Sequence, residues 1–212
     1  MIRRGGVYFI AIAAGIVVQA RAAHAHPHVW IKVASEIVYD ADGAIKGIRH
    51  AWAFDDMFTT YALQGIHAKT SGAYSREELD PLARTNIKSL KDADYFTSVE
   101  VDGKEQKLAD PIDYYFEYNN EALVLHFTLP FQTPAKPRQL ALEIFDPDYF
   151  IEFALQEREP VRLVGAPAGC TVTIHSPTDD ESTEKLKGQD SSGNANSSLG
   201  AAFADQIRVD CP

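Results

Sequence analysis

The stretch VWIKVASEIVYDADGAIKGIRHAWAF, residues 29–54, decides the fold. Its first part, Val29 to Tyr39, alternates, with Val29, Ile31 and Val33 on one side, as a half-buried strand requires. Asp42-Gly43 is a turn signal, and Ile45 to Phe54 reads as the returning strand of a hairpin. On that return Ile48, His50, Trp52 and Phe54 share a side, so the hairpin has one apolar face to cover. Asp55-Asp56 ends the strand and is placed to cap a helix.

Two helical segments follow, Met57 to His67 and Ser75 to Leu90. Ser75-Arg76-Glu77-Glu78 is a capping box ahead of Leu79, Leu82, Ile87 and Leu90, whereas Pro81 favours a start nearer itself. Strands resume at Val99 to Val101, Asp113 to Tyr118, Ala122 to Leu129 and Gln139 to Phe145. Further β stretches cover Tyr149 to Ala154, Val161 to Val164 and Thr171 to His175. Residues 176–200 are polar and rich in Ser, Gly and Asn, the composition of a mobile loop. Ala201 to Cys211 regains apolar character through Phe203, Ile207 and Val209. The order of elements predicts an α+β fold, mainly antiparallel β in a sheet or sandwich, with a two-helix insertion at about 57–91 after the first hairpin.

Upstream of the hairpin, Arg3 and Arg4 precede an apolar run, Val7 to Val18, and then Ala22, Ala23 and Ala25. This is the pattern of a secretory signal over residues 1–25, and the run falls short of the roughly 20 residues that span a bilayer. Cleavage after Ala25 would make His26 the first residue; a cut after Ala20 to Ala23 also fits. Residues 26–212 then form a single exported domain with a periplasmic address. The whole chain carries 20 basic and 30 acidic residues, a net charge of −10, and loss of the three leader arginines makes the remainder more acidic. That balance speaks against nucleic acid and anionic membrane surfaces as partners and for some affinity for cations. No later segment is apolar enough to insert in a membrane.

Cys170 and Cys211 in an exported chain read as a structural disulfide, worth roughly 4 kcal/mol in the chain-entropy model. A thiolate metal site is the alternative.

Several segments together resemble a bacterial exported family of unknown function. They are HPHVWI at His26, HAWAFD (His50 to Asp55), SREELDPLA (Ser75 to Ala83), DYF (Asp94 to Phe96), LHFTLP (Leu125 to Pro130), FDPDYF (Phe145 to Phe150) and GAPAGC (Gly165 to Cys170). That family is usually labelled the periplasmic component of an uncharacterised ABC-type transport system, with nickel/cobalt-type permeases as neighbours. The resemblance therefore implies a membrane permease as partner and a transition metal as cargo or ligand. Relatives carry an EF-hand-like loop before the S-x-E-E-L segment. Here His67 to Glu78 keeps Gly72, Tyr74, Ser75 and Glu78 at positions six, eight, nine and twelve. Positions one, three and five are His67, Lys69 and Ser71, and an ammonium inside such a loop opposes a cation, so calcium binding is expected to be lost.

Three of the seven histidines, His24, His26 and His28, lie within five residues. Imidazole suits zinc, nickel and copper. If cleavage exposes His26, its α-amine joins its ring nitrogen, and His28 adds a second imidazole. Pro27 has no amide proton and so blocks the square-planar mode that uses deprotonated backbone amides. More distant donors are His50, Asp55 and, on the polar side of its strand, His126. The metal candidates are thus His26, His28, His50, Asp55 and His126. Each also has a structural reading: His26-Pro27-His28 as a strand lead-in, His50 as a hydrogen-bonded core histidine, Asp55 as a helix cap. Asp146-Pro147-Asp148 is a turn signature.

No G-x-S-x-G elbow, P-loop or H-E-x-x-H helix is present, and no catalytic residue is assigned. The expected function is a periplasmic protein that binds or presents a divalent transition metal (zinc, nickel or copper) to a transporter. A copper-dependent redox enzyme with an N-terminal histidine site and a metal-free interaction domain are the alternatives.

Overall fold

The computed structural model describes residues 27–70, 72–188 and 198–212. The opening hairpin forms as its alternation requires: β1 (Val29–Tyr39) and β2 (Ile45–Phe54) pair antiparallel, Ile37 facing Ile48, Ser35 facing His50 and Val33 facing Trp52. Then come α1 (Asp56–Ala62), α2 (Arg76–Leu90) and a short 3-10 segment (Lys91–Phe96). Six strands follow: β3 (Thr97–Val101), β4 (Lys104–Glu105), β5 (Ile112–Asn119), β6 (Ala122–Ala135), β7 (Gln139–Ile144) and β8 (Ile151–Leu155). The chain closes with β9 (Val161–Val164), β10 (Thr171–His175), α3 (Asp179–Gly188), α4 (Leu199–Phe203) and β11 (Gln206–Asp210). The fold is α+β, as the element order predicts.

Two sheets share the strands. One runs β5-β6-β2-β1-β8, with β9 also on β1; the other runs β10-β11-β7-β3-β4. Most pairs are antiparallel, but β8 and β9 lie parallel to β1 on its free edge, Val29 facing Ile151 and Ser35 facing Val161. Alternate residues of the longer strands enter one apolar cluster: Ile31, Val33 and Ile37 from β1, Leu123, Leu125, Phe127 and Leu129 from β6, Leu140 and Leu142 from β7, Ile207 and Val209 from β11. Each such buried side chain contributes about 1.5–3 kcal/mol relative to exposure.

The helical insertion departs from the sequence pattern at α1, and at α2 it follows the predicted capping box rather than the proline. α1 stops at Ala62 rather than His67, because Leu63 begins a turn and Gly65 takes a left-handed conformation at φ +82°. α2 begins at Arg76 on the full Ser75/Glu78 capping box and runs through Pro81. The cap and the buried stripe Leu79, Ala83 and Ile87 outweigh the one hydrogen bond that proline removes.

The polar tract is not loop throughout: α3 occupies Asp179–Gly188. Its entry is a reciprocal pair, Glu181 N–H donating to the Thr178 hydroxyl and Thr178 N–H to the Glu181 carboxylate. Ser182 is buried and donates to the Ala202 carbonyl, which ties α3 to α4.

Cys170 and Cys211 form a disulfide, S–S 2.07 Å, joining the residue before β10 to the end of β11. Elsewhere the C-terminal segment is fixed by close approach. The Asp146 carboxylate accepts the N–H groups of Asp148, Phe150 and Ile151, each at 3.0 Å, and so shapes the turn into β8. Gly200 lies against that turn so tightly that a β-carbon there would stand 1.8 Å from the Asp146 carbonyl oxygen. Gly200→Ala is therefore expected to lower stability by about 1–3 kcal/mol, the usual range for overpacking, read as a shift of the urea midpoint at unchanged slope.

Candidate functional site

His50 is placed by the hairpin register on the inward face of β2, fully buried. Its Nδ1 lies 2.9 Å from the Ser35 hydroxyl on the adjacent strand, and its Nε2 3.4 Å from the Thr97 hydroxyl on β3 of the other sheet. Thr97 spends its own proton on the Tyr95 carbonyl at 2.8 Å, so its oxygen can only accept. That fixes the tautomer: Nε2–H donates to Thr97, and Nδ1 accepts from Ser35 O–H. Burial holds the imidazole neutral, with its pKa pushed down to about 3. A histidine in this state is a poor general base near neutral pH, and Ser35, 2% exposed, is no accessible nucleophile. Both ring nitrogens are engaged, so the core reading of His50 accounts for all of its polar atoms.

Tyr95 presents its carbonyl to Thr97 because Asp94, Tyr95 and Phe96 take successive left-handed conformations, φ 47°, 53° and 50°. This is the DYF segment of the resemblance, and its backbone shape serves the polar chain that runs from Ser35 through His50 to Thr97.

Asp55 is an anchor at the end of the hairpin. One carboxylate oxygen accepts Trp30 N–H at 2.8 Å and the other accepts Phe58 N–H at 2.8 Å, while Asp55 N–H returns to the Trp30 carbonyl. The residue therefore ties β1 to β2 and caps α1 at once. Two residues before Trp30, His28 is exposed; its N–H donates to the Phe150 carbonyl at 2.8 Å, and its ring lies 4.8 Å from the Phe150 ring. His26 lies outside the described residues.

His126 is on the outward face of β6, on a different part of the same sheet. Its ring stacks on Tyr115 with centroids 4.6 Å apart, and Arg76 covers a Tyr115 face at 3.6 Å. His126 Nε2 meets the Glu117 carboxylate at 3.2 Å. Burial lowers its pKa and the Arg76 charge adds to that, against the opposing pull of Glu117.

The loop from His67 to Glu78 is closed from within. Glu78 accepts Lys69 N–H on one carboxylate oxygen and Ser75 N–H on the other, so the carboxylate that holds the cation at position twelve of an EF-hand here holds the loop backbone.

Of the five predicted ligands, the four within the described residues are dispersed: His50 in the core, Asp55 on the strand end, His126 on the outer sheet face, His28 at the exposed start of β1. Among the described residues no group of three or more His, Cys, Asp or Glu is arranged to hold a metal. Sequence reasoning missed Ser35 and Thr97. Ser35 had a signal, as a polar residue on the inward face between Val33 and Ile37; Thr97 had none, because it reaches His50 from the second sheet.

The neutral core histidine fixes a pH dependence. Below its ordinary value of 6.5 the unfolded chain binds a proton at His50 that the folded chain refuses until about pH 3. Stability from this residue is whole above pH 6.5 and falls by about 1.4 kcal/mol per unit as pH drops through that window. His50→Gln is expected to be less stable at pH 7 and to show a shallower decline toward pH 5, measured as urea midpoints across that range for both proteins.

The chain belongs to the family described as Protein of unknown function (DUF1007), which matches it over residues 11–211. No curated protein matches it.

Proposed function

We propose that this family member is an exported, periplasmic protein that binds a divalent transition metal at its processed N-terminus and presents it to a membrane permease. The observation that carries the reading is the division of labour among the candidate ligands. His50 lies in the core, Asp55 is spent on two backbone amides and His126 is partly buried against Tyr115 and Glu117, whereas His28 is exposed at the start of β1. The metal chemistry is therefore assigned to His28 with His26, whose α-amine becomes a donor once the leader is cut after Ala25.

Such a terminus offers few donors and leaves coordination positions open. Open positions suit exchange with another ligand set, whereas buried structural sites are closed by four protein ligands. The surroundings suit a handover as well. Trp30, Met57 and Phe150 are all substantially exposed at this end of the sheet, and exposed apolar groups gathered beside a polar feature mark interaction surfaces.

Zinc, nickel and copper titrations of the mature protein test this. The double variant His26→Ala/His28→Ala is expected to lose at least about tenfold in affinity, and intact mass is expected to place His26 first in the exported chain. Titration curves unchanged in the double variant would remove the terminal site.

A further inference from the structure

The outward face of the larger sheet carries a hollow with its own chemistry. Ala34, Ala51, His126 and Tyr115 face one another in a single cross-strand row over β1, β2, β6 and β5. Alanine in the middle of two central strands leaves space where a branched or aromatic side chain would ordinarily pack. The result is a cleft of about 320 Å³, bounded on one side by His126 and on another by the segment Gln156 to Pro160 between β8 and β9.

The next row supplies the charge. Glu36 faces Arg49 on β2 and Arg162 on β9, and both guanidiniums bond its carboxylate. Two cations thus share one anion, and both arginine side chains remain more than half exposed. A guanidinium has five N–H donors in a planar fork, so each retains donors beyond its contact with Glu36. Glu159 also borders the cleft and acts on Arg162, which offsets the second positive charge. In a chain of net charge −10, the two arginines matched by Glu36 and Glu159 make this cleft close to neutral.

We propose that the cleft binds a small organic carboxylate, its charged group held by Arg49 and Arg162 and its body resting on Ala34 and Ala51. The arginines already grip one carboxylate, that of Glu36, and the planar forks of N–H donors they retain match the geometry of another. The alanine floor admits an aliphatic chain but no larger side-chain plug, and the Gln156 amide can bond a hydroxyl or amine at the far end. Nothing in this assignment depends on the terminal histidines.

The test uses the mature chain in metal-free buffer at fixed ionic strength, with succinate, citrate, L-glutamate and inorganic phosphate as probes. Amide NMR shifts are expected to saturate with at least one carboxylate and to centre on Ala34, Ala51 and Gln156. Arg162→Gln and Ala34→Leu, both on the solvent side of the sheet, are each expected to weaken that binding at least about tenfold, or 1.4 kcal/mol, with unchanged thermal melts. The leucine fills the hollow while leaving every charge in place, so it separates a built cleft from loose ion pairing. No saturable shift with any carboxylate, binding that survives Ala34→Leu, or phosphate binding as tightly as the carboxylates would overturn the proposal.

Discussion

The buried imidazole of His50 is the constraint on which the arrangement of the two sheets depends. An apolar residue at this place would leave the Ser35 hydroxyl facing a dry core without its acceptor, at a cost of about 1–3 kcal/mol, and would leave Thr97 only its bond to the Tyr95 carbonyl. With histidine there, one ring links β1, β2 and β3 through two hydrogen bonds whose direction is dictated by Thr97 donating to Tyr95. The geometry also explains why the chain accepts three consecutive left-handed residues at Asp94 to Phe96. That turn aims the Tyr95 carbonyl and so orients the hydrogen bond His50 makes to Thr97 of the second sheet. Aromatic packing completes the surround, with Phe127 at 5.0 Å and Trp52 at 5.7 Å from the imidazole.

The acids Asp55 and Asp146, one a metal candidate and the other part of a turn signature, show how carboxylate chemistry can be turned inward. A carboxylate offers about four lone-pair sites. Asp146 commits its oxygens to three backbone amides and Asp55 to two, which sets the entry to β8 and the exit from β2. Both acids sit at the end of the sheet where β1 begins, and both fasten the chain beside His28 through Trp30 and Phe150. They hold the backbone on both sides of the His28 contact in a fixed position.

How much of this was legible in the sequence varies with the range of the interaction. Period-two alternation placed Ile48, His50, Trp52 and Phe54 on one face, and the Ser75/Glu78 box located α2, because both signals are local. Composition misled at Asp179–Gly188: Ser, Asp and Lys are loop-like in bulk, yet Thr178 and Glu181 are spaced as a cap, and that spacing outranks the average. The parallel attachment of β8 and β9 to β1 has no local signature, since strands far along the chain must return to the first one. Gly200 is similarly silent in sequence. Its need for no side chain comes from the Asp146 carbonyl, a contact made by folding alone.

The same division between inside and outside bears on where function can reside. Inward positions of β1 and β2 are spoken for by packing and by the His50 hydrogen bonds, so a ligand must be met on the outward face or at the strand ends. β1 passes through both locations. His28 precedes its first residue, and Ala34 and Glu36 lie further along; at about 3.3 Å per residue, His28 and Ala34 are roughly 20 Å apart. A metal at the terminus and a carboxylate in the hollow would not share a coordination sphere. They would, however, share one strand, held by Asp55 at one end and by the Arg49–Glu36–Arg162 cluster nearer the other. Coupling between them would have to travel through the register of β1. That register is pinned at its centre by Ser35 on His50, so the two sites are expected to act independently.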